Sequence, residues 1–270
     1  MLKNKVLTDA IPLLFLIFLE FILPNFTKHK NPFTRKYFVE DLLFLIVNMA
    51  LGAVLAIFLI KFIYFGRQEW GILRGFSFIR KMPWGWQFAL AFVFRDFAAY
   101  WMHRYSHCNH FWKFHIAHHE SDYLDVAMAF RVHPVNFLLN GSRVPLLILV
   151  GFDISVIPIL GIIQYVHNLL VHANIKLDFG IFNYIFISPA LHRIHHATES
   201  KYHHKNYGVY FSIWDQMFGT FINEKNLALE MGIEGHERKN FILTNLIPFF
   251  PKYFAKKNAL SSSVSNKKAS

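Results

Sequence analysis

Sixteen histidines stand in this chain of 270 residues, and six of them fall between Trp101 and His119. Their spacing is what makes them chemical. His103 and His107 are four apart, so on a helix both imidazoles leave one face and reach one ion. His115, His118 and His119 (HIAHH) repeat that geometry at i, i+3 and i+4, and His192, His195 and His196 (HRIHH) repeat it more than seventy residues later. Neutral imidazole is a preferred ligand of iron, zinc and copper. Eight such donors exceed what one ion uses, so the count predicts two metals.

Around this set stands a second tier. His172 ends the apolar stretch LLVHANI, where a helix can deliver it to the same metals or leave it as a polar cap. Asp96 and Tyr100 precede His103 by seven and three residues, on the same helical face. A carboxylate there can take a ligand's second N–H and fix its tautomer; the alternative is an ion pair with Arg95 or Arg104. His133, in FRVHP, reads as a group behind the ligands or facing the substrate, so Asp96 and His133 are the catalytic candidates. His110, His167, His203 and His204 read as solvated or interfacial, and His29 and His236 as surface residues. Hydrolytic zinc chemistry finds no support, because neither His119-Glu120 nor His236-Glu237 continues into HExxH. Two histidine-bound metals in an apolar chain poor in carboxylates suit oxygen activation on a substrate drawn from a bilayer. A non-catalytic metal-binding membrane protein and a zinc-dependent lipid hydrolase are the rival readings.

The elements that must position these groups are apolar and helical. The chain is 54% hydrophobic and only 17% charged, with 31 phenylalanines, which places it in the membrane class. Residues 42–60 run without a charge for nearly the ~20 residues that cross a bilayer. Ala10–Pro24 (with Glu20), Trp86–Met102 (with Arg95 and Asp96) and Val144–His172 are weaker candidates; Asp153 and Pro158 are expected to break the last into a hairpin. The fold class expected is all-α: a multi-pass membrane protein with about four membrane helices and a histidine-rich helical catalytic domain. Residues 1–85 form an anchor hairpin, with Lys3 and Lys5 before an apolar run that has no cleavage site and so stays uncleaved. Residues 86–236 form the catalytic domain, and 237–270 a polar tail ending in ALSSSVSNKKAS. The net charge of +11 gathers beside the apolar segments, which points to anionic lipid and not to nucleic acid. Cys108 is the only cysteine, so no internal disulfide forms. Abundant Lys, Asn, Ile and Phe favour a bacterial inner membrane, whereas the terminal KKAS resembles a dilysine signal of the endoplasmic reticulum.

HRYSH, FHIAHH and HRIHH, in that order, resemble the fatty acid hydroxylase/sterol desaturase superfamily of membrane di-iron oxygenases. The likeness extends through FRVHP, LVHANI, KNYG (205–208) and WDQMFGT (214–220), over about residues 86–236. It implies a metal site at the cytosolic membrane face, two iron ions, O2 as co-substrate, and electrons from a b-type cytochrome, a ferredoxin or a reductase. Carried over by position, the ligands are His103, His107, His115, His118, His119, His192, His195 and His196, with His172 at a place that members often use as an extra ligand. Asp96, Arg131, His133, Asn206 and Asp215 match recurring positions of less settled role. Members hydroxylate or desaturate lipids, remove methyl groups or cleave ether lipids, so the resemblance leaves sterol, fatty acyl and ether lipid substrates open. The three-residue gap between His103 and His107 favours the sterol desaturase branch.

Overall fold

The computed structural model describes residues 12, 14–19, 37–68, 76–225 and 229–250. Among these the chain is helical throughout and forms no strand, only two isolated bridges, Phe186 to Phe211 and Ala197 to Met231. Helix α1 (Phe38–Gln68) carries Glu40 and Asp41 in its first turn, where acids favour the helix dipole. Its stretch Phe38–Ile63 is long and apolar enough to cross a membrane, and is the one such helix among the described residues. Val54, Ile57 and Phe58 on it face outward. Within its apolar stretch, buried Asn48 donates to Val132 O at 2.8 Å and ties the helix to the rest of the chain.

After the short α2 (Ser77–Lys81), α3 (Trp84–Ser106) and α4 (Asn109–His119) form a helical hairpin turning at His107 and Cys108. Then come α5 (Pro134–Gly141), α6 (Arg143–Val150) and α7 (Val156–His172). The break expected between 144 and 172 is present, set by Gly151 together with the expected Asp153 and not by Pro158. Gly151 ends α6 at φ +106°, a left-handed cap, and Asp153 closes the turn by accepting from Ser155 N and Oγ. Pro158 breaks nothing, because it sits in the first turn of α7, where no amide donor is needed. Helix α8 (Pro189–His195) begins the way α5 does, with proline in the first turn, and Ser188 Oγ accepts from Leu191 N. Helices α9 (Ile213–Met217) and α10 (Phe241–Leu246) complete the order.

Three apolar clusters hold the frame. Ala91, Leu147, Phe152 and Leu160 lock α3 between α6 and α7. Val126, Phe130, Leu169 and Ile175 pack α7 against the turn before α5. Ile187, Leu191, Ile194 and Tyr202 seat α8. The described residues 229–250 pack back on the helices: His236, Arg238 and Thr244 are bonded to Glu120, Asp41 and Arg131. The terminal ALSSSVSNKKAS and most of Ala10–Pro24 lie outside the described residues, as does His29.

Candidate metal centre

All nine histidines singled out as ligands converge, and they divide into two groups. His103, His107, His115, His119 and His195 form one, and His118, His172, His192 and His196 the other; within each group the donor atoms lie within 4.8 Å of one another. Helix pitch makes the division. The i, i+4 pair of HIAHH (His115, His119) joins the group of five and its middle member, His118, the group of four. In HRIHH the assignment reverses: His192 and His196 join the four, His195 the five. The groups touch where consecutive residues part, with the His119 and His196 rings stacked at 4.3 Å.

The chain fixes which ring nitrogen points inward. His103 Nδ1 donates to Tyr207 O (2.9 Å), His195 Nδ1 to Lys205 O (2.7 Å), His172 Nδ1 to Asn168 O (2.7 Å) and His118 Nδ1 to Arg131 O (3.3 Å). Each carbonyl holds the proton on Nδ1 and leaves Nε2 as a bare lone pair facing its group. His118 Nε2 then lies 3.1 Å from His172 Nε2, and His192 Nε2 lies 3.0 Å from His172 and 3.1 Å from His196. Lone pairs that close repel unless a cation lies between them. Protonation is disfavoured: burial first, and then the neighbouring histidines, push His118, His192 and His196 well below the ordinary imidazole pKa. A shared metal ion fits. Nitrogens bonded to one ion at ~2.1 Å with right angles between them stand ~3.0 Å apart. In the group of five, the buried Nε2 atoms of His107 and His195 have no hydrogen-bond partner, as donors reserved for a metal would.

The carbonyls that orient His195 and His103 come from the segment KNYG. Residues 205, 207 and 209 point alternate carbonyls the same way, the last to His167 Nε2 at 2.7 Å. Asn206 turns the chain at φ +53°, and its side chain bonds Leu191 O, Ile222 O and Ile222 N. Gly208 is required by close approach, since a Cβ there would meet Phe211 O at 2.6 Å. Two buried carboxylates hold the opposite side of the segment. Asp215 accepts from Tyr207 N, Gly208 N and Thr220 Oγ1, and Asp96 accepts from Tyr210 N, Phe211 N and Trp214 Nε1.

Several expectations change here. Asp96 neither receives a ligand's N–H nor pairs with Arg95 or Arg104, because both its oxygens are taken by the segment behind His103. His133 joins neither group: its Nδ1 caps α5 by accepting from Val135 N, its Nε2 donates to Asn245 O, and its ring packs on Phe114 and Phe249. It is a helix cap. His167 is not solvated but stacks on Tyr210 at 4.3 Å, and His236 is buried against Glu120 at 2.9 Å. His110, His203 and His204 are exposed. Asn136, whose amide meets His115 Nδ1, escaped notice because a lone asparagine in an apolar run carries no spacing signal.

Fold and site together define a helical protein with a bilayer-length helix and two adjoining histidine groups, each able to hold a metal ion. Residues 88–220 match the model of the fatty acid hydroxylase family. The ornithine lipid hydroxylase OlsE of Rhizobium tropici is 33% identical over 64% of this chain and 53% of its own length. Alkylglycerol monooxygenase of Danio rerio is 31% identical over 58% of this chain and 36% of its own length. A very-long-chain aldehyde decarbonylase, GL1-6, of Oryza sativa subsp. indica is 25% identical over 53% of this chain and 24% of its own. The chain thus spans about half or less of the relatives it matches. No solved structure matches it.

Proposed function

We propose that this chain is a membrane di-iron oxygenase that hydroxylates or desaturates a lipid, drawing electrons from an external carrier such as a b-type cytochrome, a ferredoxin or a reductase. The observation that carries the reading is the pair of adjoining histidine groups, five and four, whose inward nitrogens are buried lone pairs. Bound there, two iron ions would supply the oxidising power that O2 needs to break an unactivated C–H bond. The chain's own part is positional. Lys205 O, Tyr207 O, Asn168 O and Arg131 O hold four Nδ1 protons in place, and burial keeps water from the centre. The names of the relatives, a lipid hydroxylase and an ether-lipid monooxygenase among them, support a lipid substrate.

Helix α3 supports a second passage through the lipid. Trp86, Leu90, Val93, Phe97 and Trp101 are all exposed and recur every three or four residues, with tryptophan at both ends. In this reading the metal centre sits at the cytosolic end of a multi-pass bundle.

The test is to purify the protein in detergent, count its metals, and follow host lipids by mass spectrometry with O2 and reductant. Two irons and an oxygen-dependent product are expected. One zinc, with product formed anaerobically, would mean a hydrolase; bound metal with no product would mean a metal-binding protein.

A further inference from the structure

Two arginines are set into apolar helices without a direct ion pair, and share Asp96 as the one carboxylate in electrostatic reach of both. Arg95 is half-buried on α3 and Arg143 is buried at the start of α6. Among the described residues the ion pairs are made by Arg131, Lys201, His236 and Arg238, so no carboxylate comes within 4.0 Å of either. Asp96, beside Arg95 in the chain, has both oxygens committed to Tyr210 N, Phe211 N and Trp214 Nε1.

Their hydrogen bonds are also incomplete. Arg95 Nη1 donates to Leu160 O at 2.5 Å, but its buried Nε has no partner. Arg143 donates only through Nε, to Asn140 O at 2.7 Å, which leaves the fork of its two terminal nitrogens unused by the protein. The buried hydroxyl of Tyr210 has no partner either, although its ring is fixed between His167 at 4.3 Å and Phe92 at 4.9 Å. The three groups lie within electrostatic reach of one another, and Arg143 within reach of His103. Two guanidinium groups against the single carboxylate of Asp96 leave an excess of positive charge in apolar surroundings, which marks a functional site by default. What is missing must be negative, must accept several N–H and O–H donors, and must offer two oxygens to a planar fork.

We propose that Arg95, Arg143 and the Tyr210 hydroxyl bind an oxyanion, a carboxylate or a phosphate. Carried on a lipid, it would anchor the headgroup beside the five-histidine group and select which carbon is presented. That role rests on the oxygenase reading; the binding does not.

The experiment uses the delipidated, metal-loaded protein in detergent. Binding of phosphatidylglycerol, diacylglycerol with the same acyl chains, palmitate and inorganic phosphate is followed by native mass spectrometry and thermal shift. Phosphatidylglycerol or palmitate is expected to bind at least about tenfold more tightly than diacylglycerol, which carries no oxyanion. Arg143→Gln is expected to remove that preference and Tyr210→Phe to weaken it several-fold, both with wild-type metal content. Competition by inorganic phosphate would show that a free anion is taken, and its failure to compete a lipid-borne one. If Arg143→Gln does not fold, Tyr210→Phe decides, since it deletes one hydroxyl and no charge. Equal binding of every anionic probe by wild type and variants would overturn the proposal. A chain that binds the anion but makes no oxygen-dependent product would overturn the oxygenase reading alone.

Discussion

At the scale of single residues, the two histidine groups differ in how much loss they tolerate. His118→Ala leaves the group of four with three donors, whereas His107→Ala leaves the group of five with four. Elemental analysis should therefore find about one metal per chain in His118→Ala and more than that in His107→Ala. The reverse order would refute the assignment of donors. Asp215 carries a prediction about pH. Burial raises its pKa from 3.8 to about 6, although hydrogen bonds from Thr220 Oγ1, Gly208 N and Tyr207 N oppose the rise. A folded value above the unfolded one means that stability from this group is complete below the unfolded pKa and is lost as pH rises through the folded one. Asp215→Asn has no such charge, so its stability relative to wild type should improve across about pH 4 to 6, by at most about 3 kcal/mol. Denaturant melts at several pH values measure this, and a flat difference would count against it.

At the scale of elements, the segment 205–215 is an orienting frame held between two carboxylates. Asp96→Ala removes the acceptor for Tyr210 N, Phe211 N and Trp214 Nε1 without touching a ligand. Each buried donor left unmet costs ~1–3 kcal/mol. The variant should melt lower and hold less metal in the group of five, because Tyr207 O no longer steadies His103. Asp96→Asn keeps one acceptor and should fall between; unchanged metal content in both variants would show that the frame does not matter. KNYG was legible in the sequence only as a resemblance, because its work is done by backbone carbonyls. A carbonyl has no residue type and leaves no compositional trace.

At the scale of the whole molecule, one buried guanidinium ties three distant parts together. Arg131 meets Asp41 at the start of α1, Glu120 at the end of α4, and Lys239 O and Thr244 Oγ1 near α10. Its own carbonyl takes the His118 proton. The long apolar helix α1, the histidine-bearing helix α4 and the C-terminal segment therefore share one junction. Arg131→Ala leaves Asp41 with Arg238 alone and Glu120 with His236 and Thr244, and breaking such a network costs ~3–5 kcal/mol. Loss of the folded protein from detergent extracts, or a melting temperature many degrees lower, is the expected outcome. Wild-type stability in that variant would mean that Arg238 alone, which also reaches Asp41, holds the junction.

What the sequence determined by itself was the donor set: eight histidines at helical spacing, His172 at the end of an apolar run, the apolar helices that carry them, and the family motifs. Those features are local, since an i, i+4 pair or an uncharged run is complete within a few residues. Tertiary structure alone decided how the nine divide into five and four, because that depends on how α3, α4, α7 and α8 are rotated against each other. It also decided that Asp96 holds a backbone segment, that His133 caps a helix, and that Arg95 and Arg143 come within electrostatic reach of each other with Asp96 as their one shared carboxylate. Each of those facts joins groups far apart in the chain. No spacing rule encodes which buried donors find acceptors and which are left open for a ligand.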